Sequence, residues 1–413
     1  MENILVKLSN VYIKKNDNTI FNSDVEGISV LHVVSEMYNT GGHSKIVQHW
    51  TKVDSNNTHF IYATQMDSEK LGQVMQELSF RKDVRYIGRF SKNQIEHARE
   101  LHSFANKFDR IVLHINRNDI IPIIAFSSIA IPVYFMNHAD HCYWSGIIVT
   151  DVLLQIREVN IAIDENLRQI QAQKQYFLPI PINLQSEHES KDNQIRYANG
   201  VEEDDIILLT TGSAYKFKPF KDKNLFTDVI PVLDKYDNVK LWVVGIEEND
   251  EAAIVHPKIK YFGRISYLQK LEKECDIYLE TLPFSSFTAL LETIGQKKAI
   301  QLMYNPHDII KYFPDSNGIK YPTSSLQWQN SLDGLINDED LRFNNSLVFY
   351  DHVRKFNSIS YFTERIKGIY KYTDKRDKII TKQVCRLSEN EELFHSSRPK
   401  STLLNLFKKK LNM

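Results

Sequence analysis

The chain has 413 residues, a length that suits two domains better than one. Its 42% hydrophobic and 25% charged content is that of an ordinary soluble, folded protein and sets aside the disordered and fibrous classes. A net charge of −1 argues against a general nucleic-acid binder, and the three scattered cysteines, Cys142, Cys275 and Cys385, give neither a disulfide framework nor a metal-ligand spacing.

The N-terminal "MENILVKLSNVYIKKND" has no long apolar core, and no run of about 20 apolar residues comes after it, so neither a signal peptide nor a membrane span is expected. The expected location is cytoplasmic. Residues 1–27 read as an extension, with "NVYIKKNDNTIFN" expected as a hairpin turning at Asp17-Asn18. "ISVLHVV" (28–34) is the first buried strand, and Ile46, Val47, Trp50 and Val53 after it mark a helical face. "THFIYAT" (58–64), "RIVLHI" (110–115) and "PVYFM" (132–136) are further strands, with a helix over "NQIEHARELHSFANKF". This alternation predicts an α/β domain over 28–180, a parallel sheet with helices on both faces.

"YFLPIPINL" (176–184) carries Pro179 and Pro181, which enforce extended backbone, and reads as a hinge. The alternation then restarts with "DIILLTTG" (205–212), "VKLWVVG" (239–245), "IKYFG" (259–263), "CDIYLE" (275–280) and "KAIQLM" (298–303), a second α/β domain over 181–385. Residues 304–372 read as largely helical. In the tail, 386–413, "LLNLFKKKLNM" sets Leu403, Leu404 and Phe407 beside Lys408, Lys409 and Lys410, a basic amphipathic pattern suited to an anionic membrane face or to helix packing.

Four stretches have residues that fit a site. "YNTGGHSKIVQHW" places Gly41 and Gly42 between a strand and a helix, where backbone N–H groups can meet an anion; a tight turn is the plainer use. His43 reads as a first-turn helix residue. "MNHADHCYWSG" (136–146) gathers His138, Asp140, His141, Tyr143 and Trp144 after a strand, a hydrogen-bonding and aromatic set that fits a sugar, or a polar loop with one histidine capping a helix. Its His-x-x-His spacing, without a helix, is weak for a metal, and no metal site is expected. "TTGSAYKFKPF" (210–220) follows a strand with Lys216 and Lys218, two cations suited to a diphosphate or to a solvated loop. "LETLPFSSFTALLETIGQKKAI" (279–300) turns at Pro283 into a helix beginning near Phe287 or Thr288, which Ser285 or Ser286 can cap, with Glu292 about one turn in. Arg264 in "YFGRIS" sits one strand earlier.

These pieces, two in each half across a hinge, resemble the two-domain GT-B glycosyltransferases, in particular the large retaining family 4, over about residues 28 to 370. The resemblance implies two Rossmann-like domains with parallel sheets facing across a cleft, the first for the acceptor and the second for a nucleotide sugar. By the family's pattern, Gly41 and Gly42 face the donor, His138 lies by the transferred sugar, and Lys216 and Lys218 neutralise the leaving diphosphate. Gly263, Arg264 and Ile265 lie by the base, and Ser285, Ser286, Phe287 and Thr288 lead to the ribose ligand Glu292. Asp140, His141 and Trp144 are the expected acceptor or sugar contacts. The first of the family's two spaced glutamates falls instead on Phe284. "LPFSSFTALLE" is also similar to the inverting protein O-GlcNAc transferases.

The resemblance implies hexosyl transfer to a glycan or lipid-linked hydroxyl, retaining rather than inverting, without metal or cofactor, and with closure about 176–184. His138, Lys218 and Glu292 are its expected catalytic residues. A composition rich in Asn, Lys and Ile is that of an AT-rich bacterial genome, where capsule or lipopolysaccharide synthesis is the commonest setting. Peripheral membrane contact through 401–413 would fit a lipid-linked acceptor. The competing readings are a nucleotide-sugar 2-epimerase and a catalytically silent glycan-binding or scaffolding subunit, the latter resting on Phe284.

Overall fold

The computed structural model describes residues 2–13, 27–39, 42–141, 144–185, 193–220, 223–306, 310–314 and 318–371. They fall into two compact units. One takes the described residues within 1–188, 294–297 and 347–383, the other those within 189–293 and 298–346.

The first unit opens with helix α1 (Glu2–Tyr12), so the start of the expected hairpin, Asn10 to Tyr12, is helical; Asp17 and Asn18 lie outside the described residues. Leu5 is buried, and α1 packs on α5 (Ile121–Phe126), itself apolar throughout. Seven strands come next: β1 (Ser29–Val34), β2 (Thr58–Ala63), β3 (Arg85–Gly88), β4 (Arg110–His114), β5 (Val133–Asn137), β6 (Val152–Gln155) and β7 (Gln175–Phe177). They pair in parallel in the order β3-β2-β1-β4-β5-β6-β7. Helices α2 (Gly42–Val53), α3 (Ser68–Glu77), α4 (Gln94–Ala105) and α6 (Val159–Arg168) lie between them in sequence. Asp67 and Asn93 cap α3 and α4 by accepting from Lys70 N and Glu96 N.

β7 occupies the start of the expected hinge. Tyr176 and Phe177 precede Pro179, so their N–H groups remain free to pair, and the prolines constrain only the later residues of the segment. Helix α13 (Ile359–Ile369) returns to this unit: Arg365 Nε donates to the Phe177 carbonyl at 2.8 Å, and Tyr176 Oη donates to the Arg365 carbonyl at 2.8 Å. The helix before it, α12 (Glu339–Asn357), belongs to the first unit only from Leu347 on.

The second unit begins with α7 (Asn193–Ala198) and carries β8 (Ile206–Thr211), β9 (Val239–Val244), β10 (Ile259–Tyr261), β11 (Ile277–Leu279) and β12 (Ala299–Gln301), parallel, in the order β10-β9-β8-β11-β12. Helices α8 (Leu225–Lys235), α9 (Leu268–Glu274), α10 (Phe287–Gly295, as far as Thr293) and α11 (Ser325–Asn337) belong to it, with the start of α12. Trp242 on β9 and Trp328 on α11 are fully buried. Each such ring stabilises the unit by roughly 4–6 kcal/mol of apolar burial before entropy is set against it. In each sheet the strand order reverses once, between β1 and β4 and between β8 and β11. Ligands of open α/β sheets bind outside the carboxyl ends of strands at such points.

Candidate functional site

In the first unit the reversal point carries a line of histidines. Period-two alternation and the parallel register explain it. His59 on β2 stands opposite Val30 of β1, His32 lies two residues further along β1, and His114 on β4 stands opposite Val34. Counting on from the Leu113–Phe135 pair puts His138, just after β5, two levels further again. One strand over and two residues on, repeated three times, is a diagonal along one face. The rings touch accordingly: His59 Nδ1 to His32 Nε2 is 3.0 Å, His32 Nδ1 to His114 Nε2 is 3.2 Å, and His114 Nδ1 to His138 Nε2 is 3.4 Å.

The line ends on an acid. His59 Nε2 donates to the Asp54 carbonyl at 2.9 Å, with Asp54 Oδ2 at 3.4 Å. Tyr370 Oη donates to Asp54 Oδ2 at 2.6 Å and accepts from Trp50 Nε1 at 3.0 Å. Burial opposes charge on Asp54, but the bonds from His59, Tyr370 and Asn57 hold its carboxyl below the usual range. Burial pushes His32, His114 and His138 well below the ordinary imidazole value and brings His43 to about 4. These rings are neutral at physiological pH.

His43 is indeed in the first turn of α2, and it is also part of this cluster. Its ring meets that of His138 edge-on at 3.9 Å and hydrogen-bonds the His114 backbone carbonyl, while its Nε2 is buried without a partner. Gly42 opens α2 beside it; Gly41 lies outside the described residues, as does Tyr143.

Two expected sugar contacts are spent inside the fold. The Asp140 carboxylate, 1% exposed, accepts from Arg157 Nε at 2.7 Å, Asn160 Nδ2 at 2.6 Å and His141 Nδ1 at 3.2 Å. Burial works to raise its pKa, but the Arg157 charge and the His141 bond outweigh it and bring it to about 2. Trp144, 5% exposed, stacks on Phe135 at 4.7 Å. Neither presents a surface for a ligand. His141 is half-buried and held by Asp140.

In the second unit the reversal point lies between the ends of β8 and β11. Three strands there end on glycines in close approach. Gly212 N donates to the Val244 carbonyl and Gly245 N to the Gly263 carbonyl. A Cβ on Gly245, whose φ is +105°, would lie 2.2 Å from the Gly212 oxygen. At Gly263 the φ of +60° is the constraint, since the atom nearest that position, Glu247 Oε1 at 1.9 Å, ends a flexible side chain that can turn aside. Past Gly212, Lys216 Nζ donates to the Ser285 carbonyl at 2.7 Å and to Ser286 Oγ at 2.9 Å. Thr281 Oγ1 donates to the Phe284 carbonyl at 2.6 Å and pins the turn from β11 to α10. The helix starts at Phe287, as expected.

The two lysines do not converge. Lys218 is exposed, and the Glu251 carboxylate holds its ammonium at the surface. The acid of this site is Glu280, at the end of β11. It is 1% exposed and accepts from Met303 N at 2.9 Å. Burial pushes its carboxyl up to about 7 and lowers Lys216 to about 8, each partly offset by the other's charge. Sequence reading takes Glu280 only as a strand end; its signal was a charged residue closing an apolar strand. Phe284 is buried against Tyr215 and Phe220. Thr288 and Glu292, in the first and second turns of α10, are partly exposed, as is Ile265, while Arg264 is exposed.

No protein-family model and no curated protein matches the chain. Solved structures do. HepE of Anabaena, in complex with UDP-glucose, is similar with a TM-score of 0.63 at 10% identity, over 84% of this chain and 100% of that one. A glycosyltransferase of Rickettsia africae is similar with a TM-score of 0.64 at 14% identity, over 84% and 98%. The lipopolysaccharide outer core galactosyltransferase WaaB is similar with a TM-score of 0.58 at 15% identity, over 84% and 100%. At such identities the likeness carries the fold alone. The fold is α/β of the GT-B type.

Proposed function

We propose that this chain is a glycosyltransferase that moves a sugar from a nucleotide-sugar donor to a hydroxyl of a glycan or lipid-linked acceptor. The observation that carries the reading is Lys216. A lysine drawn out of water, held by Ser285 and Ser286 at the start of α10, stands at the reversal point of the second sheet. As the glycosidic bond breaks, negative charge builds on the departing diphosphate. The Lys216 ammonium and the first N–H groups of α10 supply the compensating charge from fixed positions, so little reorganisation is needed in the transition state. These groups do that without a divalent ion at the phosphates.

Glu292, in the second turn of α10, is the proposed ribose ligand, and Gly263, Arg264 and Ile265 lie by the base. Gly41, Gly42 and His138 of the first unit serve the sugar, His138 as a neutral ring that hydrogen-bonds a hydroxyl. Retention is favoured over inversion. UDP-glucose bound to HepE and the lipopolysaccharide role of WaaB make a uridine diphosphate hexose and a bacterial surface glycan the first choices to try. Among the described residues no helix is long and apolar enough to cross a membrane. Residues 401–413 lie outside them, and their apolar-basic pattern is the ground for proposing peripheral contact with an anionic bilayer.

The test is release of nucleoside diphosphate from a panel of nucleotide sugars, with and without oligosaccharide acceptors. One donor should turn over, faster with acceptor. Donor binding without release would favour the silent subunit, and neither binding nor release would sink the proposal.

A further inference from the structure

The histidine cluster of the first unit has the makings of a site that glycosyl transfer does not require. We propose that His43, His114 and His138 bind a divalent transition-metal ion, Zn²⁺ in the first instance. This rests on the first unit's geometry alone and stands whether or not the chain transfers sugars.

Three features support it. The first is spacing. One ring nitrogen from each of the three lies within 4.8 Å of the others. Zn–N bonds of about 2.0–2.1 Å at tetrahedral angles put ligand nitrogens about 3.3–3.4 Å apart. His114 Nδ1 and His138 Nε2 already stand at 3.4 Å, long for a hydrogen bond between rings and right for two ligands.

The second is the orientation of the rings, which fits the tautomers that a bound ion requires. His59 Nε2 faces a carbonyl and a carboxylate, both acceptors, so it carries the proton. An ion on His114 Nδ1 places that ring's proton on Nε2, which then donates to His32 Nδ1, His32 Nε2 to His59 Nδ1, and His59 Nε2 to Asp54. In that order the Nδ1 lone pair of His114 is turned toward His138. A ligating histidine whose other nitrogen donates toward a carboxylate is the usual support of a metal site; here two further imidazoles relay that bond to Asp54.

The third is His43. Its ring is held by the His114 backbone carbonyl, and its Nε2 is a buried nitrogen with no hydrogen-bond partner. A lone pair buried without a partner is costly unless something fills it, and a cation does so. Three neutral imidazoles favour zinc, copper or nickel over magnesium or calcium, which take oxygen ligands. His43 and His138 are partly exposed while His114 is buried, which gives the ion a route in and leaves a fourth position for water. His141 takes no part, being held by Asp140.

The experiment uses the full chain, stripped with chelator and dialysed against buffered Zn²⁺ or Co²⁺, with bound metal counted by mass spectrometry. The expected result is one ion per chain, and for Co²⁺ the strong visible absorption of a four-coordinate site. His43→Gln and His138→Gln should each weaken binding by at least about tenfold. His256→Gln, which removes a histidine of the second unit paired with Asp234, should change nothing. Uptake below stoichiometry, or uptake indifferent to His43→Gln, overturns the proposal. Should a variant fail to fold, anomalous diffraction from Zn²⁺-loaded wild-type crystals decides: a peak between the three rings supports it, and a peak elsewhere or none overturns it.

Discussion

Lys216 and Lys218 stand two residues apart and meet different fates. One is drawn under Ser285 and Ser286, the other pairs with Glu251 in water. An exposed pair of the second kind contributes little to stability or to a site. Charge also decides the roles of two acids. For Glu280 the folded state raises the pKa from 4.5 to about 7, so the folded chain keeps a proton that the unfolded chain has lost. Its contribution to stability is present below about 4.5 and is lost as pH rises to about 7. Glu280→Gln should remove that decline, so urea unfolding should show the variant gaining on the wild type across that window; parallel pH curves would contradict the assignment. Asp140 sits at the other extreme, ionised and bonded to Arg157. Asp140→Asn leaves the buried guanidinium short of its counter-charge and should cost about 3–5 kcal/mol in unfolding measurements. A variant of full stability with only a raised KM for acceptor would instead restore Asp140 as a sugar ligand.

Among the elements, the strand ends of the second unit are held close by glycine. Gly245→Ala puts a methyl 2.2 Å from a backbone oxygen at a φ of +105° and should destabilise by about 2–5 kcal/mol. Gly200→Ala, at φ of +72° with nothing within 4 Å, should cost about 1 kcal/mol. Equal losses in thermal unfolding would show that strain, and not the approach of the strands, sets the cost. Helices and long strands were legible in the sequence because their apolar periodicity is local. The turn into α10 was legible too, through its serines. Short strands were not: Arg85–Gly88 is a four-residue exposed edge, and Gln175–Phe177 lies against prolines that disguise it. The histidine diagonal was invisible because His32, His59, His114 and His138 come from four separate stretches that only the register of four strands aligns, and His43 joins them from α2. Along the chain, His43 was a helix residue and Asp140 and Trp144 were polar and aromatic surface. Burial, which a single sequence does not show, reassigns all three.

For the molecule as a whole, two parallel sheets with strand orders that each reverse once make a GT-B fold, and each reversal point has its own chemistry. The first carries neutral imidazoles, the second a desolvated lysine beside a buried acid at a helix start. The proposed function requires the second to hold a diphosphate. Calorimetric titration with uridine, guanosine, adenosine and cytidine diphosphates is the direct test, on wild type, Lys216→Met and Lys218→Ala. We predict binding of one of them, weakened about 10- to 100-fold by Lys216→Met and about twofold or less by Lys218→Ala. Because Lys216 is lowered to about 8, wild-type affinity should fall as pH rises through that value. No binding of any diphosphate, or an affinity indifferent to Lys216→Met, would contradict it.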